Sequence, residues 1–184
     1  MTVTIENGAA LAAPLDALKA YLRISGAAED DLLTDLVRAA SEVAERFVGQ
    51  LLIERGVEEV LSQRCDWQRL AIRPVTSISA LAAVAVDGAE TMLDVAAYAL
   101  DIDGNGDGWV RVSGAGGAIA GSSGRIHVSY RAGLAVDSDG VPDSIRHGIV
   151  RLAGDYYALR EGVEAQPPAS VAALWRPWRR MRLS

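Results

Sequence analysis

Apolar residues at Leu32, Leu36, Ala40, Val43, Phe47 and Leu51 recur every three or four positions, and Leu33, Val37, Ala44, Val48 and Leu52 widen the stripe. Arg38, Glu42, Glu45 and Arg46 fall on the other side. That periodicity predicts an amphipathic helix over 29–53. Glu29, Asp30 and Asp31 suit the positive end of its dipole. A shorter helix is predicted over 14–24 from Leu15, Leu18 and Leu22, with Pro14 in the first turn and Gly26 as a stop. Helix returns over 142–161, where Ile145, Ile149, Leu152, Tyr156 and Leu159 are spaced four, three, four and three apart. Gly148 and Gly154 lie inside it, at a cost of roughly 1 kcal/mol each against Ala. Close approach of another helix would offset that cost. After Pro167-Pro168 comes a short helical piece over Ala169–Trp175.

Between the helical stretches the period changes to two. Residues 57–65, 69–73, 77–86, 98–102, 109–113 and 125–131 read as strands, several with polar and apolar residues alternating. Asp87-Gly88 marks a turn, and residues 114–124, GAGGAIAGSSG, have the composition of a flexible loop. The fold expected from these elements is α+β, mainly a helical bundle with an inserted antiparallel β section and a C-terminal tail. One domain is expected over 1–184: helical over 1–56, β insertion over 57–133, helical over 134–163, and a tail over 164–184.

Few motifs point to chemistry. Asp101, Asp103 and Asn105 followed by Gly106, with Asp107 next, match the first half of a calcium loop. The twelfth position, where such a loop needs a bidentate acid, is Val112, and the flanks read as strands. Asx and Gly are also what a tight turn between strands requires, so a turn is the preferred reading and a weak calcium site the lesser one. The 114–124 loop lacks the lysine of a P-loop and the third glycine of a dinucleotide fingerprint. His127 and His147 are the only histidines; neither belongs to a zinc or nucleophile motif. His127 is expected to point outward from a strand, and His147 to lie away from the apolar face of its helix. Cys65 is alone and is read as a small, partly buried apolar side chain. No enzyme and no cofactor are expected.

Charge alters this picture at one end. The chain carries 24 acidic and 18 basic residues, net −6. Residues 176–184 contain Arg176, Arg179, Arg180 and Arg182 and no acid, leaving 14 basic against 24 acidic residues, or −10, elsewhere. An acidic body argues against general nucleic-acid binding, whose affinity comes from neutralising phosphates. The 184 residues, half of them hydrophobic, suffice for a substantial core. The longest apolar run, residues 81–86, is far short of a membrane span, and the N-terminus has no signal-peptide pattern. A protein made in the cytoplasm without membrane contact is expected. Trp175, Arg176, Trp178, Arg179, Arg180 and Arg182 form an aromatic–arginine cluster. Folding back as a cap on the core is one role for it. Trp and Arg are also the residues most enriched at interface hot spots, and docking onto a partner is the preferred role.

The order of segments resembles the head–tail connector, or adaptor, proteins of long-tailed phages and of gene-transfer-agent particles. The opening helix pair carries Ala40, Ala44-Glu45, Phe47–Gly49 and Leu52 in the family's recurring pattern. LAIRPVTSISAL is similar to its short proline-containing segment, here with Arg73-Pro74. YALD, GRIHVSYRAG and VPDSIRHGIVRLAGDYYALREG follow in the family's order, and the tail matches at Leu174, Pro177, Trp178, Arg179, Arg182 and Leu183. The resemblance implies a structural protein of the virion neck that binds the portal as a homo-oligomeric ring, a dodecamer, extends the DNA channel and offers a platform to the stopper and tail. It further implies that the C-terminal cluster docks on the portal, and that DNA passes without specific binding. Two other readings compete: another neck component, such as a stopper or tail terminator, and a calcium-dependent binding module built on Asp101, Asp103, Asn105 and Asp107.

Overall fold

A computed structural model of the chain describes residues 2–8, 10–113, 122–159 and 166–179. They fall into two compact units: one of Met1–Asn7 with Arg55–Gly133, the other of Gly8–Glu54 with Leu134–Ser184.

The first unit is β throughout. Strands β1 (Thr2–Ile5), β2 (Arg55–Ser62), β4 (Val75–Ala85), β5 (Glu90–Met92) and β8 (Ser122–Ala132) form an antiparallel sheet in the order β1-β2-β8-β4-β5. A smaller sheet has the order β3-β7-β6, from β3 (Gln68–Arg69), β6 (Tyr98–Ile102) and β7 (Gly108–Val112). The central pairing sets Val57 opposite Tyr130 and Leu61 opposite Ile126, so alternate residues of β2 and β8 point into one core. Val75, Leu81, Val110, Val112 and Val128 complete it.

The second unit is helical: α1 (Leu15–Leu22), α2 (Asp30–Val48), α3 (Asp143–Ala158) and α4 (Ala169–Trp175). Its core gathers Leu18, Leu33, Val37, Leu52, Ile145, Ile149, Leu152, Val171 and Trp175, all almost without exposure. Gly49, in the left-handed conformation at φ 73°, ends α2. Leu51–Ile53 therefore leave the helix as extended chain, although their spacing continues the stripe, and Ile53 bridges Ala135. The two helical glycines are seats for aromatic rings, as the expected close approach requires. A Cβ on Gly148 would run into the Trp175 indole, and one on Gly154 would stand 2.7 Å from Tyr21 Cε1.

The fold class needs correction. The chain is not mainly a helical bundle with a β insertion: eight strands in two sheets stand beside four α-helices among the described residues. β1 has no counterpart among the expected strands, and β8 starts three residues before the expected 125–131 and ends one after it, while β4 nearly keeps its expected length. Strand 69–73 shrinks instead to Gln68–Arg69, since beyond it the backbone turns to side-chain acceptors: Ala71 N–H donates to Glu59 and Ile72 N–H to the Tyr130 hydroxyl.

Candidate functional site

The C-terminal cluster is built on α4. Pro168 precedes that helix, and Pro177 lies in the single 3-10 turn Arg176–Trp178 that follows it. Trp175 is fully buried: its Nε1 donates to the Ile145 carbonyl at 3.2 Å, and its ring meets Phe47 at a centroid distance of 5.8 Å. It is a core residue, so the capping role, second choice on sequence grounds, is the one it performs here. Trp178 stays partly exposed while its Nε1 donates to Ser144 Oγ at 2.9 Å and its carbonyl accepts from Gln50 Nε2 at 3.0 Å. The Arg179 guanidinium lies 5.5 Å from the centre of the Phe47 ring. Arg176 and Arg179 are exposed. The segment thus lies folded onto α2 and α3 and presents one indole and two guanidinium groups to solvent. Arg180 and Arg182 lie outside the described residues.

The calcium-like segment joins β6 to β7. Gly106 has φ +76°, and Asp103 Oδ1 accepts from the backbone N–H groups of Asn105 at 2.8 Å and Asp107 at 3.0 Å. Asp103 Oδ2 accepts from Trp109 Nε1 at 3.3 Å, and the Asp107 carboxylate pairs with Arg73 at 3.2 Å. These carboxylates close a turn and hold its neighbours, while Asp101 and Asn105 are exposed. Among the described residues no group of three His, Cys, Asp or Glu could hold a metal ion, and no helix is long and apolar enough to cross a membrane.

His127 bridges strands of the larger sheet, with Nε2 2.8 Å from Glu58 Oε2 and Nδ1 2.8 Å from Glu90 Oε1. His147 is exposed on α3. Cys65 is exposed rather than partly buried, because it sits in the loop between β2 and β3. One polar feature gave no sequence signal. Glu59 is completely buried between Val57 and Leu61, and its Oε2 accepts from Tyr130 Oη at 2.8 Å and from Ala71 N–H at 2.9 Å. The Tyr130 hydroxyl in turn accepts from Ile72 N–H at 3.2 Å. Burial above all, then the Glu59 carboxylate, hold the Tyr130 hydroxyl well above its ordinary pKa of 10.0. Alternation alone would place an acid at position 59 inside, yet composition argues it outside, so only the partner across β8 explains it.

Comparison with known proteins gives a consistent answer. Residues 12–86 match the Phage gp6-like head-tail connector protein family. No curated protein matches the chain. Among solved structures, a chain in the neck of an empty gene-transfer-agent (GTA) particle computed with C6 symmetry aligns with a TM-score of 0.78 and 26% identity, over 100% of this chain and 98% of that one. A chain from the virion of a native GTA particle gives 0.78 and 27% with the same coverage. One from the neck of a native GTA particle computed with C12 symmetry gives 0.74 and 28%, again over 100% and 98%.

Proposed function

We propose that this chain, which belongs with the phage head–tail connectors in sequence and in fold, is a structural protein of a virion neck and acts there as the adaptor on the portal. The observation that carries the reading is the full-length likeness to neck chains of GTA particles. Twelvefold symmetry of one such neck fits a ring of twelve copies. A ring extends the DNA channel and offers its far side to the stopper and tail. Packing takes up the conspicuous aromatic residue Trp175, and the polar clusters serve turns and strand pairs, in keeping with a structural role.

Arg176, Trp178 and Arg179 are the described part of the portal-docking surface. They project from an ordered turn, which lowers the entropy lost on binding, and Trp and Arg are the usual anchors of such contacts. Arg180 and Arg182 extend the same basic charge along the sequence.

Co-expression with the portal protein of the same genome, followed by negative-stain electron microscopy, tests this. The native chain should add a layer to the portal ring. A variant lacking residues 180–184 and carrying Ser at 176, 178 and 179 should fold, since Trp175 remains, yet add none. A layer that survives those changes moves the anchor elsewhere, and no layer with the native chain overturns the adaptor role.

A further inference from the structure

Among the described residues of the first unit, 86–96 form the longest exposed stretch: of them only Leu93 is even partly covered. The stretch is apolar as well as exposed. Val86 is 80% exposed, Met92 66% and Val95 76%, on the β4–β5 hairpin and the turn after it. Leu100 and Ile102, on β6 at an edge of the smaller sheet, are also exposed. Asp87, Glu90, Asp94 and Asp101 are interspersed, and no basic residue occurs between Arg73 and Arg111. An exposed apolar patch of one charge sign is an interaction surface awaiting a basic, apolar partner.

The same unit carries a surface of that description beside β3, the other edge of the smaller sheet. Trp67 is 43% exposed and the Arg111 guanidinium stacks on it, 4.9 Å from the ring centre. Arg64 and Arg69 are exposed alongside, with Asp66 next in sequence to Trp67 and the Asp107 carboxylate 3.9 Å from Arg69. One surface thus lies at β5, an edge of the larger sheet, and the other at β3, an edge of the smaller sheet, and the two are complementary in charge. A ring needs that arrangement, because head-to-tail assembly joins one face of a copy to a different face of the next.

We infer that the Val86–Met92–Val95 arm of each copy docks on the Trp67–Arg111 surface, flanked by Arg64 and Arg69, of its neighbour. The inference rests on the ring proposed above and names the contact that closes it. The native Cys65 lies two residues from Trp67 and is exposed, so it serves as a probe.

In the portal complex, Val86→Cys in the native background should give, on mild oxidation or with a short bismaleimide, a ladder of covalent oligomers reaching the full ring. Val86→Cys with Cys65→Ser should stay monomeric under the same treatment, since the thiol then meets no partner thiol. Val86→Lys with Met92→Lys should remove the layer, since like charge would then face Arg64, Arg69 and Arg111, while the free chain melts at its native temperature, both positions being exposed. A layer that forms on the portal but yields no ladder, or survives the double lysine change, overturns this contact and leaves the adaptor role standing. Failure of the native chain to form any layer overturns both.

Discussion

At the scale of single residues the Glu59–Tyr130 pair carries the clearest consequence. A buried carboxylate is tolerated only where donors reach it, and here one hydroxyl and one backbone N–H do so. Its second oxygen, Oε1, is buried and makes no hydrogen bond among the described residues. Tyr130→Phe removes one of the two donors and leaves Ile72 N–H without its acceptor, so it should cost about 1–3 kcal/mol at neutral pH. The same residue sets a pH dependence. An unfolded chain releases the Tyr130 proton near pH 10, whereas the folded chain retains it to higher pH. The unfolded state therefore holds fewer protons above pH 10, and stability is intact below that value and falls as pH rises beyond it. Urea midpoints measured between pH 7 and pH 11 should show this decline in the native chain and a shallower one in Tyr130→Phe. An equal slope in the two proteins would mean that other groups govern alkaline unfolding.

Among the elements, the docking of α4 against α3 turns on one small residue. Gly148 costs helix propensity, and an Ala there would restore roughly 1 kcal/mol if nothing lay above it. The Trp175 indole occupies that space, so Gly148→Ala should destabilise by about 1–3 kcal/mol net through overpacking. Trp175→Ala should cost about 3–5 kcal/mol as a cavity opens beside Phe47 and Ile145. Combining the two should cost less than their sum, since the methyl enters space the indole has left; thermal melts of the three variants would show it, and strict additivity would exclude the contact. Helices were well legible in the sequence because a 3.6-residue period repeats over many turns: Ala169–Trp175 is recovered with its expected bounds, and α3 within a few residues. The weight of β structure was not. β1 offers four residues of marginal pattern and gains its place only from pairing Thr2 with Val60 and Ile5 with Val57, a partner more than fifty residues away. The C-terminal aromatic–arginine cluster was legible as composition, but composition could not separate Trp175, which is held by Gly148 and Ile145, from Trp178, which stays partly exposed.

For the molecule as a whole the deciding quantity is charge. With a net of −6 and no basic residue between Arg73 and Arg111, the chain as a whole repels a polyanion. Twelve copies around a channel would multiply that field, and like charge lets DNA pass without being held. The four arginines of residues 176–184 are the exception, and engaging them with the portal would withdraw them from DNA. Fluorescence anisotropy of a labelled duplex should therefore show no binding by the native chain at ~0.15 M salt, where surface charges beyond about 8 Å are screened. At low salt any residual binding should disappear when residues 180–184 are removed and Ser replaces Arg176 and Arg179. Affinity for duplex DNA in the micromolar range at physiological salt, the strong end of ordinary non-specific binding, would instead mean that an arginine surface such as Arg64, Arg69 and Arg111 grips the backbone, and that the channel holds DNA rather than conducting it.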